Sequence, residues 1–264
     1  MSIITISRGS FYHGSSIAGK LAARLGFSVL SRDDIVEELD EFHLPEIKLV
    51  RNLNDTFSVL DRFPHGKERF KAAIRAEILQ RFRQGNVVYH GLFGHHFVKD
   101  ISHVLKVRII ADTASRVADE MAREKISEEK ALYVLKKDDE ERRKWGMFLY
   151  GIDIMAPENY NLVIRIGHLT EDEAVDVIVQ AATSPAFKKT SQSQALLEDL
   201  ALEAQVKRQL FDFPNATVSA KNGEVRITLK VPSSQEEIIN ERIGEMISNT
   251  DGLKKYTLNL DPFY

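Results

Sequence analysis

Cysteine is absent from this 264-residue chain, which excludes disulfides and thiolate-ligated metal and leaves the redox compartment unmarked. Long apolar runs are missing as well. None approaches a membrane span, and the apolar start is cut off by Arg8, too early for a secretory core. Nor is there an excess of one charge: 36 Lys and Arg against 39 Asp and Glu leave a net of −3, so no basic field argues for nucleic acid. What is present is a chain 43% hydrophobic and 28% charged, enough for one good core and a smaller second one, with the cytoplasm as the expected compartment.

The most informative segment also lacks a residue. Ile3–Ser7 reads as a short apolar strand, Gly9 and Gly14 stand five apart in a loop, and Ile17–Leu25 is an amphipathic helix. This is the layout of a phosphate-binding loop, G-x-x-x-x-G-K-[S/T], with Ser15 where the lysine belongs. A helix starting at Ile17 would offer free N–H groups to an anion, Gly9 and Gly14 would let the backbone approach it, and Ser16 would offer its hydroxyl to magnesium. The plainer alternative is a strand–turn–helix whose serines only cap the helix. Two cations stand near enough to replace the missing charge: Arg8 at the strand's end, and Lys20, one turn beyond Ser16 and otherwise facing solvent.

Apolar runs alternate with helical patterns to about residue 183. Ile3–Ser7, Phe27–Leu30, Asn86–His90, Val104–Ala111 and Tyr160–Ile166 suit strands of a parallel sheet covered on both faces. Helices are expected at Ile17–Leu25, about Pro45–Phe63, Lys67–Gln84, Ala114–Glu124, Glu128–Tyr150 and Glu171–Ala182. Gly26 and Gly85 stand at C-cap positions, and Thr170–Glu173 forms a capping box. The expectation is a doubly wound α/β domain over 1–183 and a polar linker over 184–193. A smaller α+β module then spans 194–264, with the hairpin turn Lys221-Asn222-Gly223 between alternating strands.

Residues 1–183 resemble the cytidylate kinase-like family of P-loop nucleoside monophosphate kinases. The likeness rests on Ile4-Thr5-Ile6-Ser7-Arg8, Ile17-Ala18 with Leu21-Ala22 and Leu25-Gly26, and Ser31-Arg32-Asp33-Asp34-Ile35. It continues through Ala111-Asp112, Arg116, Arg123-Glu124, Ile126–Ala131, Lys136-Lys137, Asp139, Arg142-Arg143, Tyr150-Gly151 and Tyr160–Ile164. The resemblance implies ATP with Mg²⁺ at Arg8, Gly9, Gly14, Ser15 and Ser16, and a nucleoside monophosphate seated near Arg32 and Asp33. It further implies a lid whose Arg116, Arg123, Arg142 and Arg143 neutralise the transferring phosphate, a role that the planar arginine fork suits. Read without it, Asp138–Lys144 is a solvated helix face with i,i+4 ion pairs.

The departures fall on charge chemistry. Phe11 replaces a glycine, Ser15 a basic residue, Ser31 an aspartate, Leu92 about the position of an arginine, Asn161 an aspartate and Arg165 an asparagine. They define an alternative: a catalytically silent protein that keeps the kinase fold to sense a nucleotide or other ligand. His90, His95, His96 and His13 share no ligand spacing with a carboxylate, so a metal centre is not expected from them. Trp145 and Met147–Tyr150 read as core. The tail, through Lys221–Val225 and Asp251–Lys255, resembles the BON domain, which implies an unidentified ligand or self-association.

Overall fold

The computed structural model describes residues 3–9, 11–40, 60, 62–91 and 93–263. Leu92 and nearly all of the helix expected at about Pro45–Phe63 lie outside the described residues. The chain forms two compact units. In the first, five parallel strands stand in the order β2 (Ser28–Ser31), β3 (Val87–His90), β1 (Ile3–Arg8), β4 (Val104–Ala111), β5 (Leu162–Ile166). All five match expected strands, with ends moved by at most two residues. The α/β expectation is met.

One face of this sheet carries Ile4, Ile6, Val88, Leu105, Val107, Ile109, Ile164 and Ile166. They pack on Ile17 and Leu21 of α1 (Phe11–Leu25) and on Ala174, Val175 and Ile178 of a helix over Glu171–Ala182. Gly26 (φ 67°) and Gly85 (φ 76°) take the left-handed conformation expected after their helices. Side chains alternate along a strand, so Thr5, Ser7, Lys106 and Arg108 point to the opposite face. There Arg108, 6% exposed, donates to the Ile154 carbonyl at 2.9 Å and to Ser7 Oγ at 3.4 Å, and Tyr160 donates to the same carbonyl at 2.7 Å.

His95 packs beside this polar patch, its ring 4.7 Å from that of Tyr160. Burial, then the charges of His96, Arg108 and Lys106, push its pKa down to about 3. The folded state therefore keeps His95 neutral while the unfolded chain takes up a proton below about 6.5, and stability falls with falling pH. Between pH 7 and pH 5 the loss from this group is about 2 kcal/mol. Urea titrations of wild type and His95→Asn at both pH values measure it. The variant is expected to lose this part of the pH dependence while His90 and His103, also lowered by burial, keep theirs, and an unchanged slope would refute the assignment.

The remaining helices of the first unit follow in chain order: α2 (Arg32–Asp40, through Glu38), α4 (Gly94–Phe97), α5 (Thr113–Glu124), α6 (Glu128–Tyr150) and α7, the Glu171–Ala182 helix already met. Helix α3 (Gly66–Gln84) does not belong with them. It groups with the second unit, although it lies within the range expected to form the first domain. Its apolar face includes Phe70, Ile74, Ile78 and Phe82 and packs along α8 (Ser191–Gln209), where Arg75 pairs with Glu203 at 2.7 Å and Gln205 with Gln80 at 2.9 Å. Helix α8 starts inside the expected linker. Among the described residues this unit also holds β6 (Thr217–Lys221), β7 (Glu224–Pro232), α9 (Glu236–Ile247) and β8 (Lys255–Phe263). Strand β7 runs antiparallel to β6 and parallel to β8. Asn222 (φ 55°) and Gly223 (φ 82°) make the expected turn, and both backbone N–H groups donate to Asp199.

Candidate functional site

Strand β1 ends at Arg8 and α2 begins at Arg32, so the C-terminal edge of the first sheet presents two arginines. Helix α6 brings Arg142 to the same place. A cleft of about 750 Å³ opens here, lined by Arg8, Gly9, Ser15, Ser31–Asp34, His90, Gly91, one face of α5 and part of α6. The α5 residues are Arg116, Asp119, Glu120 and Arg123, spaced three and four apart and therefore on one side of the helix. Arg8 is depressed to about 9, by burial first and then by the charge of Arg142. Burial lowers Arg32 too, again with Arg142 adding to the effect, and its guanidinium lies 6.0 Å over the Trp145 ring. Cations crowded into little water make a site that favours an anion.

Each of the four arginines expected in a lid is held by a carboxylate. Arg116 makes a two-pronged pair with Asp139 at 2.7 and 2.8 Å, and Arg123 reaches both oxygens of Glu120 at 2.8 and 2.7 Å. Arg142 donates to Asp138 at 2.8 Å, one turn back. Arg143 turns elsewhere: it is exposed and bonded to Asp153 at 2.7 Å. Consecutive residues diverge on a helix, so Arg142 and Arg143 do not face one cleft. The i,i+4 pairing anticipated for Asp138–Lys144 is present, in Arg142–Asp138 and Lys144–Glu140. Arg142 is nevertheless only 9% exposed, so that face is not simply solvated.

Helix α1 starts at Phe11, six residues before the expected Ile17, and this changes the reading of the loop. Gly14 now lies inside the helix. A Cβ there would meet Cβ and Cδ of Arg8 at 2.9 Å, so the glycine makes room for the Arg8 stem rather than for an anion. Ser15 faces the cleft. Ser16 faces α7 instead and donates to Glu171 Oε2 at 2.5 Å. Lys20 is exposed, as expected, and does not line the cleft: it pairs with Glu171 at 3.0 Å and Asp172 at 2.8 Å. Of the expected site residues the cleft thus gathers Arg8, Gly9, Ser15, Arg32, Asp33, Arg116, Arg123 and Arg142, and leaves out Gly14, Ser16 and Arg143.

Two departures from the family pattern have local structural roles. Ser31 caps α2, its N–H donating to Asp34 at 2.7 Å while Asp34 N–H donates to Ser31 Oγ at 3.2 Å. Asn161 Oδ1 accepts from Lys106 N–H at 2.9 Å and so extends the β4–β5 edge. Sequence reasoning missed His90, Asp119, Glu120, Lys137 and Tyr133 as cleft residues. The three-and-four spacing from Arg116 to Arg123 was the available signal for Asp119 and Glu120. Among the described residues no group of His, Asp and Glu is placed to hold a metal, and no helix is long and apolar enough to cross a membrane.

The Cytidylate kinase-like family matches residues 3–168 of the chain. The cytidylate kinase of Sulfolobus acidocaldarius is 26% identical over 171 residues, 62% of this chain and 85% of that protein. The crystal structure of an uncharacterized protein from Eubacterium ventriosum superposes with a TM-score of 0.54 at 20% identity, covering 69% of this chain and 97% of that one, a likeness of fold.

Proposed function

Since the chain belongs to the cytidylate kinase-like family, we propose that it is a nucleotide kinase that transfers a phosphoryl group from ATP to a nucleoside monophosphate, with cytidylate the first acceptor to test. One observation carries the reading: Arg8, Arg32 and Arg142 converge from three elements on one cleft, at an electrostatic cost that a bound polyanion relieves. Phosphoryl transfer asks mainly for positioning and neutralisation of spreading charge, and needs no nucleophile from the protein when the acceptor is itself a phosphate oxygen. Gly9, Ser15 and Arg8 would hold the donor phosphates, and Arg32 with Asp33 would seat the acceptor. Arg142 stands ready between them. Arg116 and Arg123 would exchange Asp139 and Glu120 for phosphate oxygens as the lid closes.

Mg²⁺ supplies further neutralisation of the donor when bound. Ser16, its expected ligand, does not fit that role here, because its hydroxyl is given to Glu171 outside the cleft. No step is therefore assigned through a protein-held ion; magnesium commonly binds such sites mainly through phosphate oxygens and water. The reaction's solutes point to the cytoplasm as its compartment.

A second reading keeps the nucleotide and drops the chemistry. The missing lysine at Ser15 and the four arginines already held by carboxylates suit a protein that senses a ligand. The second unit, with its α–β–β–α–β order, fits a BON-like binding module with its own ligand or a self-association role. Purified protein incubated with Mg²⁺, ATP and each of CMP, dCMP, UMP, AMP and GMP, followed by phosphorus NMR, separates the two. Nucleoside diphosphate from one acceptor, lost in Arg142→Ala, is the expected result; no product from any acceptor would leave the sensing reading.

A further inference from the structure

Strand β8 is an outer strand of the second unit's sheet. It follows β7 over nine residues, and among the described residues no strand pairs with its other edge. Side chains alternate along it and so form two sets. Lys255, Thr257, Asn259 and Asp261 share a face with their β7 partners Glu224, Arg226, Thr228 and Lys230, and all eight are exposed. Tyr256, Leu258 and Leu260 share the helix-covered face with Val225, Ile227 and Leu229. The Tyr256 hydroxyl comes over α9 at Gly244, where a Cβ would stand 2.7 Å from it. Those three β7 residues are at most 6% exposed, whereas Tyr256 is 38% exposed and Leu258 and Leu260 are half-buried. A long edge with apolar side chains left partly open, and no charge among them, lacks the usual protection against pairing with another strand.

The residues along this edge are complementary to themselves. Laid antiparallel to a copy of itself about Leu258, β8 sets Lys255 against Asp261, Tyr256 against Leu260 and Thr257 against Asn259. Each end then joins opposite charges, and each apolar residue meets another. Moving the axis by one residue shifts the register by two, the smallest step that keeps the faces matched, and loses both charge pairs. Pro262, which has no N–H to give, stays outside the paired stretch. The rows beside the edge fit as well. Lys221 of β6 lies opposite Glu224, Glu224 lies beside Lys255, and Lys230 lies beside Asp261. Across the joined sheet one row would read Lys221, Glu224, Lys255, then Asp261 and Lys230 of the second copy, with the sign alternating at every step. Strand β6, at the other edge, is five residues long, and self-pairing about Ser219 would only set Thr217 against Lys221.

We propose that two copies of this chain join through β8, antiparallel about a two-fold axis at Leu258, to make one continuous six-stranded sheet with the helices of both second units on the same face. The patch is the same on each copy, as a two-fold interface requires. Tyr256, Leu258 and Leu260 of the two copies then cover one another along the seam. The proposal is independent of nucleotide binding by the first unit.

The test is sedimentation velocity of the full chain over a concentration series: wild type, Lys255→Glu, Asp261→Lys, and an equimolar mixture of the two variants. Both side chains are exposed, so neither substitution asks the core to move. The wild type is expected to be a dimer. Each variant alone is expected to dimerise about tenfold more weakly, since both ends then set like charges together. The mixture is expected to recover the wild-type affinity, because every end again joins opposite signs. A monomeric wild type overturns the proposal; so does a dimer that both variants leave unchanged, or a mixture no tighter than its components. Register is read separately by oxidation. The chain has no cysteine, so Thr257→Cys and Asn259→Cys introduce the only thiols. Mixed, the two variants are expected to crosslink with each other; alone, each thiol stands about 8 Å from its own copy, beyond the reach of a disulfide. Crosslinking that is as fast within either variant alone refutes the axis at Leu258.

Discussion

Arg8→Met is expected to raise the melting temperature of the ligand-free chain and to abolish its response to phosphate. The two effects come from the same geometry. Arg8 is pushed down to about 9 by burial and by the facing charge of Arg142, so its ionised form is held under strain. Methionine keeps an unbranched stem for the space beside Gly14, where Cβ and Cδ of Arg8 now fit without a glycine side chain in the way. Replacing a buried charge by an apolar side chain of similar volume stabilises some proteins by about 1–4 kcal/mol. For a chain of this size that is several degrees. Losing one preorganised cation at the transferring phosphate costs about 10²–10³ in rate. Calorimetric scans with and without pyrophosphate, together with turnover, check both halves. A variant that melts lower, or that still gains stability from pyrophosphate, would contradict the assignment of Arg8 to the anion.

Trp145→Ala is expected to cost about 3–5 kcal/mol, the range for truncating a buried aromatic side chain. Trp145 is 2% exposed, and the surroundings leave little freedom to collapse into the space it would vacate. Its neighbour Gly146 is so close to the following loop that a Cβ there would stand 2.7 Å from the Ile152 carbonyl and 2.9 Å from Ile154 Cγ2. A cavity that cannot close keeps its full penalty, so the upper half of the range applies. Arg32 lies over the indole ring, and its loss removes the floor beneath that guanidinium. Urea denaturation should therefore show a lower midpoint at unchanged slope, with Trp145→Phe between the two. A cost below about 1 kcal/mol would mean that the indole is not the packing centre of α6.

The core strands were legible because β1 and β4 are buried on both faces and carry few polar interruptions. Trp145 and Leu149 lie in the core as expected, but Met147, read with them, is 54% exposed. The start of α1 was not legible: the spacing of Gly9 and Gly14 demands a loop if an anion is assumed, and nothing local reveals that Gly14 faces the stem of Arg8. Arg143 was misplaced because adjacent arginines share a charge but not a direction. The bonds of Ser16 and His13 to Glu171 span more than 150 residues, beyond any periodicity. Helix α3 reads correctly as a helix, yet its partner α8 lies more than 100 residues downstream, and sequence pattern says which face is apolar without saying what covers it.

That pairing bears on how the gene could have been assembled. The segment coding for α3 lies between those for β2 and β3, neighbours in the first sheet, while its packing partner is coded near the other end. A module added by simple end-to-end fusion would leave the older coding region uninterrupted. Here a recombination breakpoint at residue 190 would separate α3 from α8, leaving Phe70, Ile74, Ile78 and Phe82 on one product and the helix they pack along on the other. Cutting the chain there would leave the apolar face of α3 without the helix it packs along.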